Sequence, residues 1–296
     1  MKRLLALTLF AATACRGADT TGPTPSGGGG SVPLLGHVVV VVEENTDYSS
    51  VIGSSSMPYL NGLAQQYALA TNYYADTHPS IGNYFMMTVG KIITNDDSYS
   101  GVVSDDNIIR RLNAGHKSWK SYAEDLPSVG YTGGDAGNYA RKHNVIALLS
   151  DVVNDSVQRQ NLVPFTQFAP DLAAGHLPAY SFVVPNLCND AHDCPLATAD
   201  QWLQTNIDPL VKSATFQSDG LLVIVFDEAG SDNTNGGGHV ACVIVSPKAK
   251  RGYQSVGVYQ HQSLLRLSAE ALGVTPPNDA ASAPDMGEFF ATTGTP

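Results

Sequence analysis

Five consecutive valines, Val38 to Val42, constrain the fold of this chain more than any other feature. A β-branched run without polar alternation fits a strand buried on both faces, as in a parallel sheet covered by helices. Tyr180 to Val184, Leu221 to Phe226 and Val240 to Val245 repeat the pattern. Helical patterns lie between them at Pro58 to Tyr67, Asp106 to Ala114, Gln201 to Lys212 and Gln262 to Leu272, the last stopped by Gly273. The alternation predicts an α/β fold: a mostly parallel central sheet with helices on both faces, a three-layer α/β/α sandwich. With 43% hydrophobic and 15% charged residues in a 296-residue chain, there is material for a large core, and disorder is excluded.

The apolar runs end in polar chemistry. The valines stop at Glu43-Glu44-Asn45, the Leu221 run stops at Asp227-Glu228, and His239 stands just before the Val240 run. In sheets of this kind ligands gather beyond the carboxyl ends of strands. One acidic pair after a strand can be a solvated turn or a helix cap. Two pairs on separate strands repel each other unless a cation holds them, and carboxylate and amide oxygens suit a divalent metal. Ser80, in Thr77-His78-Pro79-Ser80-Ile81-Gly82-Asn83-Tyr84, precedes a helical stretch. It can be a plain N-cap, or a hydroxyl where free N–H groups welcome an anion. It is not a nucleophile elbow, because His78 stands where that motif needs glycine. Asp232 to Gly236 fails the EF-hand pattern, and Gly236-Gly237-Gly238 reads as a turned loop delivering His239.

The ends of the chain and its charge limit the compartment and partners. Met1-Lys2-Arg3 followed by apolar Leu4 to Ala14 reads as an export signal, too short for the roughly 20 residues of a membrane span. Ala12-Thr13-Ala14-Cys15 is similar to a bacterial lipobox, so residues 1–15 are expected to be a lipoprotein-type signal with Cys15 lipidated. Residues 16–32, rich in Gly, Pro, Ser and Thr, read as a flexible tether, and 33–296 as a single domain. The expected location is therefore exported, anchored by lipid to a bacterial membrane or surface, or otherwise secreted. Cys188 and Cys194 bracket a short loop and can close a disulfide in an oxidising compartment, while Cys242 reads as a buried thiol. With 16 Lys+Arg against 27 Asp+Glu, a net charge of −11 and no basic run, nucleic acid is not an expected partner.

Several ordered blocks resemble the phosphoesterase family, which holds bacterial acid phosphatases and the non-specific type of phospholipase C within the alkaline-phosphatase superfamily. The blocks are Glu44-Asn45-Thr46-Asp47-Tyr48, Met57-Pro58-Tyr59-Leu60-Asn61, Tyr67 to Ala75, and His78-Pro79-Ser80-Ile81-Gly82-Asn83-Tyr84. They continue at Ser118 to Glu124, Tyr139 to Asn144, Pro185 to Asp193, Phe226-Asp227-Glu228 and Tyr259 to Ser263. The family usually carries proline at the position of Gly82. The resemblance implies an alkaline-phosphatase-like sandwich that hydrolyses phosphate esters. It implies a divalent metal of unknown identity held by Glu44, Asn45, Asp227, Glu228 and Ser80, with Ser80 forming a phosphoseryl intermediate.

Beside those residues, His192 is the expected catalytic acid or phosphate contact, and His239, His143 and Lys120 are expected to bind substrate. The expected partner is a small phosphate ester, with a phospholipid substrate possible and the membrane reached only through the N-terminal lipid. A phospholipase C-type phosphodiesterase is the alternative. A metal-free serine esterase using Ser80, Asp227 and His239 or His261 leaves Glu44-Asn45 unexplained. A non-catalytic lipoprotein that binds a phosphorylated ligand is the remaining rival.

Overall fold

The computed structural model describes residues 31–291, so the signal segment, Cys15 and most of the tether lie outside the described residues. An eight-stranded sheet carries the chain, in the order β4-β3-β5-β1-β6-β7-β2-β8. The strands are β1 (His37–Glu43), β2 (Ala68–Tyr74), β3 (Trp119–Ala123), β4 (Leu162–Pro164), β5 (Tyr180–Val184), β6 (Gly220–Phe226), β7 (Cys242–Val245) and β8 (Tyr253–Gln260). Seven run parallel; β7 runs antiparallel to both its neighbours, β6 and β2. The expected α/β fold with a mostly parallel sheet is therefore present.

The valine run lies at the centre of the sheet, and Val38 to Val42 are at most 1% exposed. Burying each such side chain is worth roughly 1.5–3 kcal/mol, which explains why a run with no polar face is stable here. Two sets of helices supply the covering layers. Ser80–Thr88 packs against His261–Ala271, and Pro58–Gln66 packs against Leu196–Asn206. The pattern read over Gln201 to Lys212 breaks into Leu196–Asn206 and Asp208–Lys212, because Pro209 has no N–H to continue the hydrogen-bond ladder. Among the described residues no helix is long and apolar enough to cross a membrane.

The register aligns the chemistry. Glu43 pairs with Phe226 across β1 and β6, and Ala123 pairs with Val184 across β3 and β5. Glu44, Asp227 and the segment after β5 consequently leave the sheet side by side at its carboxyl edge. Cys188 and Cys194 are bonded in that last segment, and Cys242 is a buried free thiol, both as expected.

Candidate active site

Ser80 is the first residue of a helix in which every residue is buried. Pro79 is the N-cap, so the hydroxyl of Ser80 is not spent on capping. Ser80 Oγ instead lies 3.0 Å from Glu228 Oε1 and 3.2 Å from Glu44 Oε2. One hydroxyl has one proton, so it can donate to only one of them at a time, and the other contact sets two acceptors face to face. The two acidic pairs are also tied through backbone. Asp227 Oδ1 accepts from the N–H of Asn45 at 3.1 Å and of Glu228 at 2.6 Å, while its Oδ2 is buried with no partner. Asn45 sits at φ 45, a left-handed conformation that asparagine tolerates better than most side chains.

Glu44 faces a second group with its other oxygen. Tyr84 Oη donates to Glu44 Oε1 at 2.5 Å, and His143 Nε2 is 3.3 Å from the same atom. The ring of His143 stacks on Tyr84 with centroids 5.1 Å apart, and its Nδ1 is 3.4 Å from Asp190 Oδ2. His192 stands beside His143, ring centroids 5.8 Å apart, with Nδ1 2.7 Å from Asp193 Oδ1. Glu44, His143 and His192 each bring a donor atom, all within 4.8 Å of one another, a spacing that suits a metal ion.

Burial governs the protonation of the group. It raises the carboxyl of Glu44 well above its ordinary range, and Asp227 and Asp190 add to the shift. Burial first, then Glu228, raises Asp227, and Asp190 is pushed up to about 7, mainly by burial. His143 moves the other way: burial and then Lys142 drive it well below 6.5, keeping the imidazole neutral. Carboxylates this crowded and dehydrated stay ionised only with a cation among them.

Ser80, Glu44, Asp227, Glu228, His143 and His192 are thus brought together. Asn45 joins at least through its backbone. Two expected residues are not brought in. Lys120 lies toward the start of β3, in register with Ser181, and its Nζ pairs with Asp171 at 2.5 Å. The alternation of β3 and the ion pair turn it to a different task. His239 stacks on Tyr48 at 4.1 Å, and its Nε2 is 2.9 Å from the Thr71 carbonyl, so the glycine loop delivers it to a structural position. That loop needs its glycines: a Cβ on Gly236 would fall 2.1 Å from the Asp76 carbonyl oxygen. His261 is buried between Tyr73 Oη and the Asp227 carbonyl, and burial lowers it to about 4.

Other contributors went unread in the sequence. His78 Nδ1 lies 2.5 Å from Glu228 Oε2 and its Nε2 3.1 Å from the Asp232 carbonyl, so both ring nitrogens face acceptors. Tyr84 follows Ser80 by four residues, one helical turn on, and that spacing could have pointed both side chains at one partner. Asp190 lay inside the cysteine loop without any local signal of its role. Gly82 leaves room for the neighbouring loop, since a Cβ there would fall 2.3 Å from Asn95 Oδ1.

The Phosphoesterase family model matches residues 54–275. A probable acid phosphatase of Kluyveromyces lactis is 34% identical over 198 residues, 64% of this chain and 46% of that protein. The phosphatidylinositol-3-phosphatase of Mycobacterium tuberculosis is 31% identical over 263 residues, 88% of this chain and 84% of that one. The chain spans about half the length of most curated relatives it matches. The solved structure of a protein in the alkaline phosphatase superfamily from Vibrio parahaemolyticus superposes with a TM-score of 0.55, covering 83% of this chain and 69% of that one. At 14% identity that likeness is one of fold. The architecture, the meeting of Glu44 and Glu228 at Ser80 and the sequence match agree: the chain belongs to the phosphoesterase family.

Proposed function

We propose that this chain is an acid-phosphatase-like hydrolase of phosphate esters that works through a phosphoseryl intermediate on Ser80. The observation that carries the reading is the buried Ser80 hydroxyl between the carboxylates of Glu44 and Glu228. The donor set fits a divalent cation. Carboxylate oxygens around Ser80 outnumber the available protons, and Asp227 Oδ2 and His143 Nε2 are buried without a hydrogen-bond partner. Glu44, Asn45 through its amide oxygen, Asp227, Glu228 and Ser80 would hold the ion, with His143 and His192 adjoining. When bound, it supplies positive charge against the phosphate and lowers the pKa of the Ser80 hydroxyl.

Ser80 Oγ attacks phosphorus and passes its proton to Glu228 or Glu44. The Oγ–P bond forms as the ester P–O bond breaks in line. His192, held at Nδ1 by Asp193, protonates the departing alkoxide. Water then attacks phosphorus, giving a proton to His192 as the Oγ–P bond breaks, and the carboxyl that took the Ser80 proton returns it to Oγ, releasing phosphate. His78 keeps Glu228 oriented through its 2.5 Å contact. A phosphomonoester carried on a lipid headgroup is a second substrate reading, favoured by the relative named phosphatidylinositol-3-phosphatase, of which the chain covers 84%. Export with a lipid on Cys15 belongs to the same reading, and metabolic labelling with a fatty acid tests it.

Ser80→Ala tests the mechanism. Turnover of a chromogenic phosphomonoester should fall by roughly 10⁴-fold or more while the melting transition persists. Acid quenching of the wild type should trap phosphoserine at position 80. Full turnover by Ser80→Ala refutes the nucleophile.

A further inference from the structure

Lys142 is tied to the site through Asp97, and neither the sequence nor the steps above give it a task. Its Nζ is 2.9 Å from Asp97 Oδ2, and Asp97 Oδ1 accepts from the backbone N–H of Ile81 at 3.2 Å. A single carboxylate therefore links the ammonium to the peptide next to Ser80. In the chain Lys142 precedes His143, whose ring lies against Glu44 and Tyr84. An ammonium carries three protons, and among the described residues Asp97 is the hydrogen-bond partner found for Lys142. The side chain keeps 20% exposure, so solvent reaches it.

Among the described residues, Arg110 pairs with Asp151, Arg111 with Asp106 and Lys120 with Asp171, and Arg141 donates to the Tyr99 carbonyl. Charge balance then makes a demand. Glu44 and Asp227 alone cancel one divalent cation. A phosphomonoester is largely dianionic at neutral pH, its second pKa being about 6, whereas a diester is a monoanion. The additional negative charge favours a further positively charged donor aimed at the phosphoryl oxygens.

We propose that Lys142 is a specificity-determining residue that contacts the phosphoryl oxygens of the substrate and favours dianionic phosphomonoesters over monoanionic diesters, with Asp97 as its positioning residue. The inference rests on the phosphoesterase reading above and narrows its substrate class.

The full chain and its Lys142→Met, Lys142→Arg and Asp97→Asn variants are compared on p-nitrophenyl phosphate and bis-p-nitrophenyl phosphate. The diester is read as a substrate or, where it is not turned over, as a competitive inhibitor, and inorganic phosphate is titrated as an inhibitor. For Lys142→Met the monoester KM and the phosphate inhibition constant should rise roughly 10- to 100-fold, the worth of one charge-assisted hydrogen bond, while the diester constants move by less than about threefold. Lys142→Arg should recover most of the loss, and Asp97→Asn should raise KM more than it lowers kcat. Equal losses on both esters, or an unchanged monoester KM and phosphate inhibition, overturn the inference. Should Lys142→Met not fold, as read by its melt, Lys142→Arg and Asp97→Asn decide by the same monoester-to-diester ratio. A wild-type chain that hydrolyses neither ester refutes the proposed function and this inference with it; an active wild type with indifferent variants refutes the inference alone.

Discussion

Asp76 offers a quantitative test of how burial sets charge in the loop that leads to Ser80. Its carboxylate accepts the N–H of His261, at the start of the helix His261–Ala271, at 3.3 Å. Burial nevertheless pushes it up to about 7, although that bond and the side chain of Gln262 pull the other way. The unfolded chain returns it to about 3.9, and the gap of roughly three pH units is worth about 4 kcal/mol at 1.36 kcal/mol each. Solvent reaches part of the side chain, which trims the figure to roughly 2–4 kcal/mol. The sign follows from proton affinity. The folded carboxyl holds its proton more tightly than the unfolded one, so its contribution is complete below about pH 4 and is lost as pH rises through 7. Asp76→Asn keeps a carbonyl acceptor for His261 and cannot ionise. The variant should match the wild type near pH 4 and exceed its stability by roughly 2–4 kcal/mol at pH 8. Urea unfolding of both proteins at pH 4, 6 and 8 measures the difference directly, and other titrating groups cancel in it. Stability curves that stay parallel across this range refute the reasoning.

Further perturbations separate the site from its surroundings. Tyr84→Phe keeps the ring on His143 but strips Glu44 Oε1 of its donor, and should cost about 1.5–3 kcal/mol in a thermal melt together with a loss of kcat/KM. An unchanged melt would mean the bond is not made in solution. Lys120→Ala should leave kcat/KM within about twofold, because its Nζ serves Asp171; a tenfold loss in steady-state assays would return this lysine to the site. Exhaustive chelation should remove activity and lower the melting temperature, and divalent cation should restore both. Undiminished turnover after chelation counts against the cation.

The places where sequence reading succeeded and failed have separate physical causes. β1, β5 and β6 were legible because strands buried on both faces are mostly apolar, and β1 and β6 give way directly to acidic residues while β5 gives way to Pro185-Asn186. β2, β3 and β8 were not, since Ala68–Tyr74 and Trp119–Ala123 mix polar and apolar residues and Tyr253–Gln260 is a half-exposed edge strand. Lys120 was drawn toward the site by its block and His239 by the glycine run before it, yet neither local feature says which way a side chain turns. Alternation along β3 points Lys120 at Asp171, and stacking on Tyr48 holds His239.

By itself the sequence determined the α/β class, the acidic pairs at the ends of two buried strands, the hydroxyl of Ser80 at a helix start, and the cysteine pair. Each of these follows from local pattern, since strand burial, helix initiation and a short loop are settled within a few residues. The tertiary structure decided the rest: that Glu44 and Glu228 meet at Ser80, that Tyr84 donates to the other oxygen of Glu44 while His143 lies beside it, that His78 holds Glu228, and that Asp97 ties Lys142 to the peptide beside Ser80. These partners are separated by up to 150 positions along the chain, as His78 is from Glu228. Their approach is set by strand order and register, which arise from packing the whole sheet and carry no signature in any single segment.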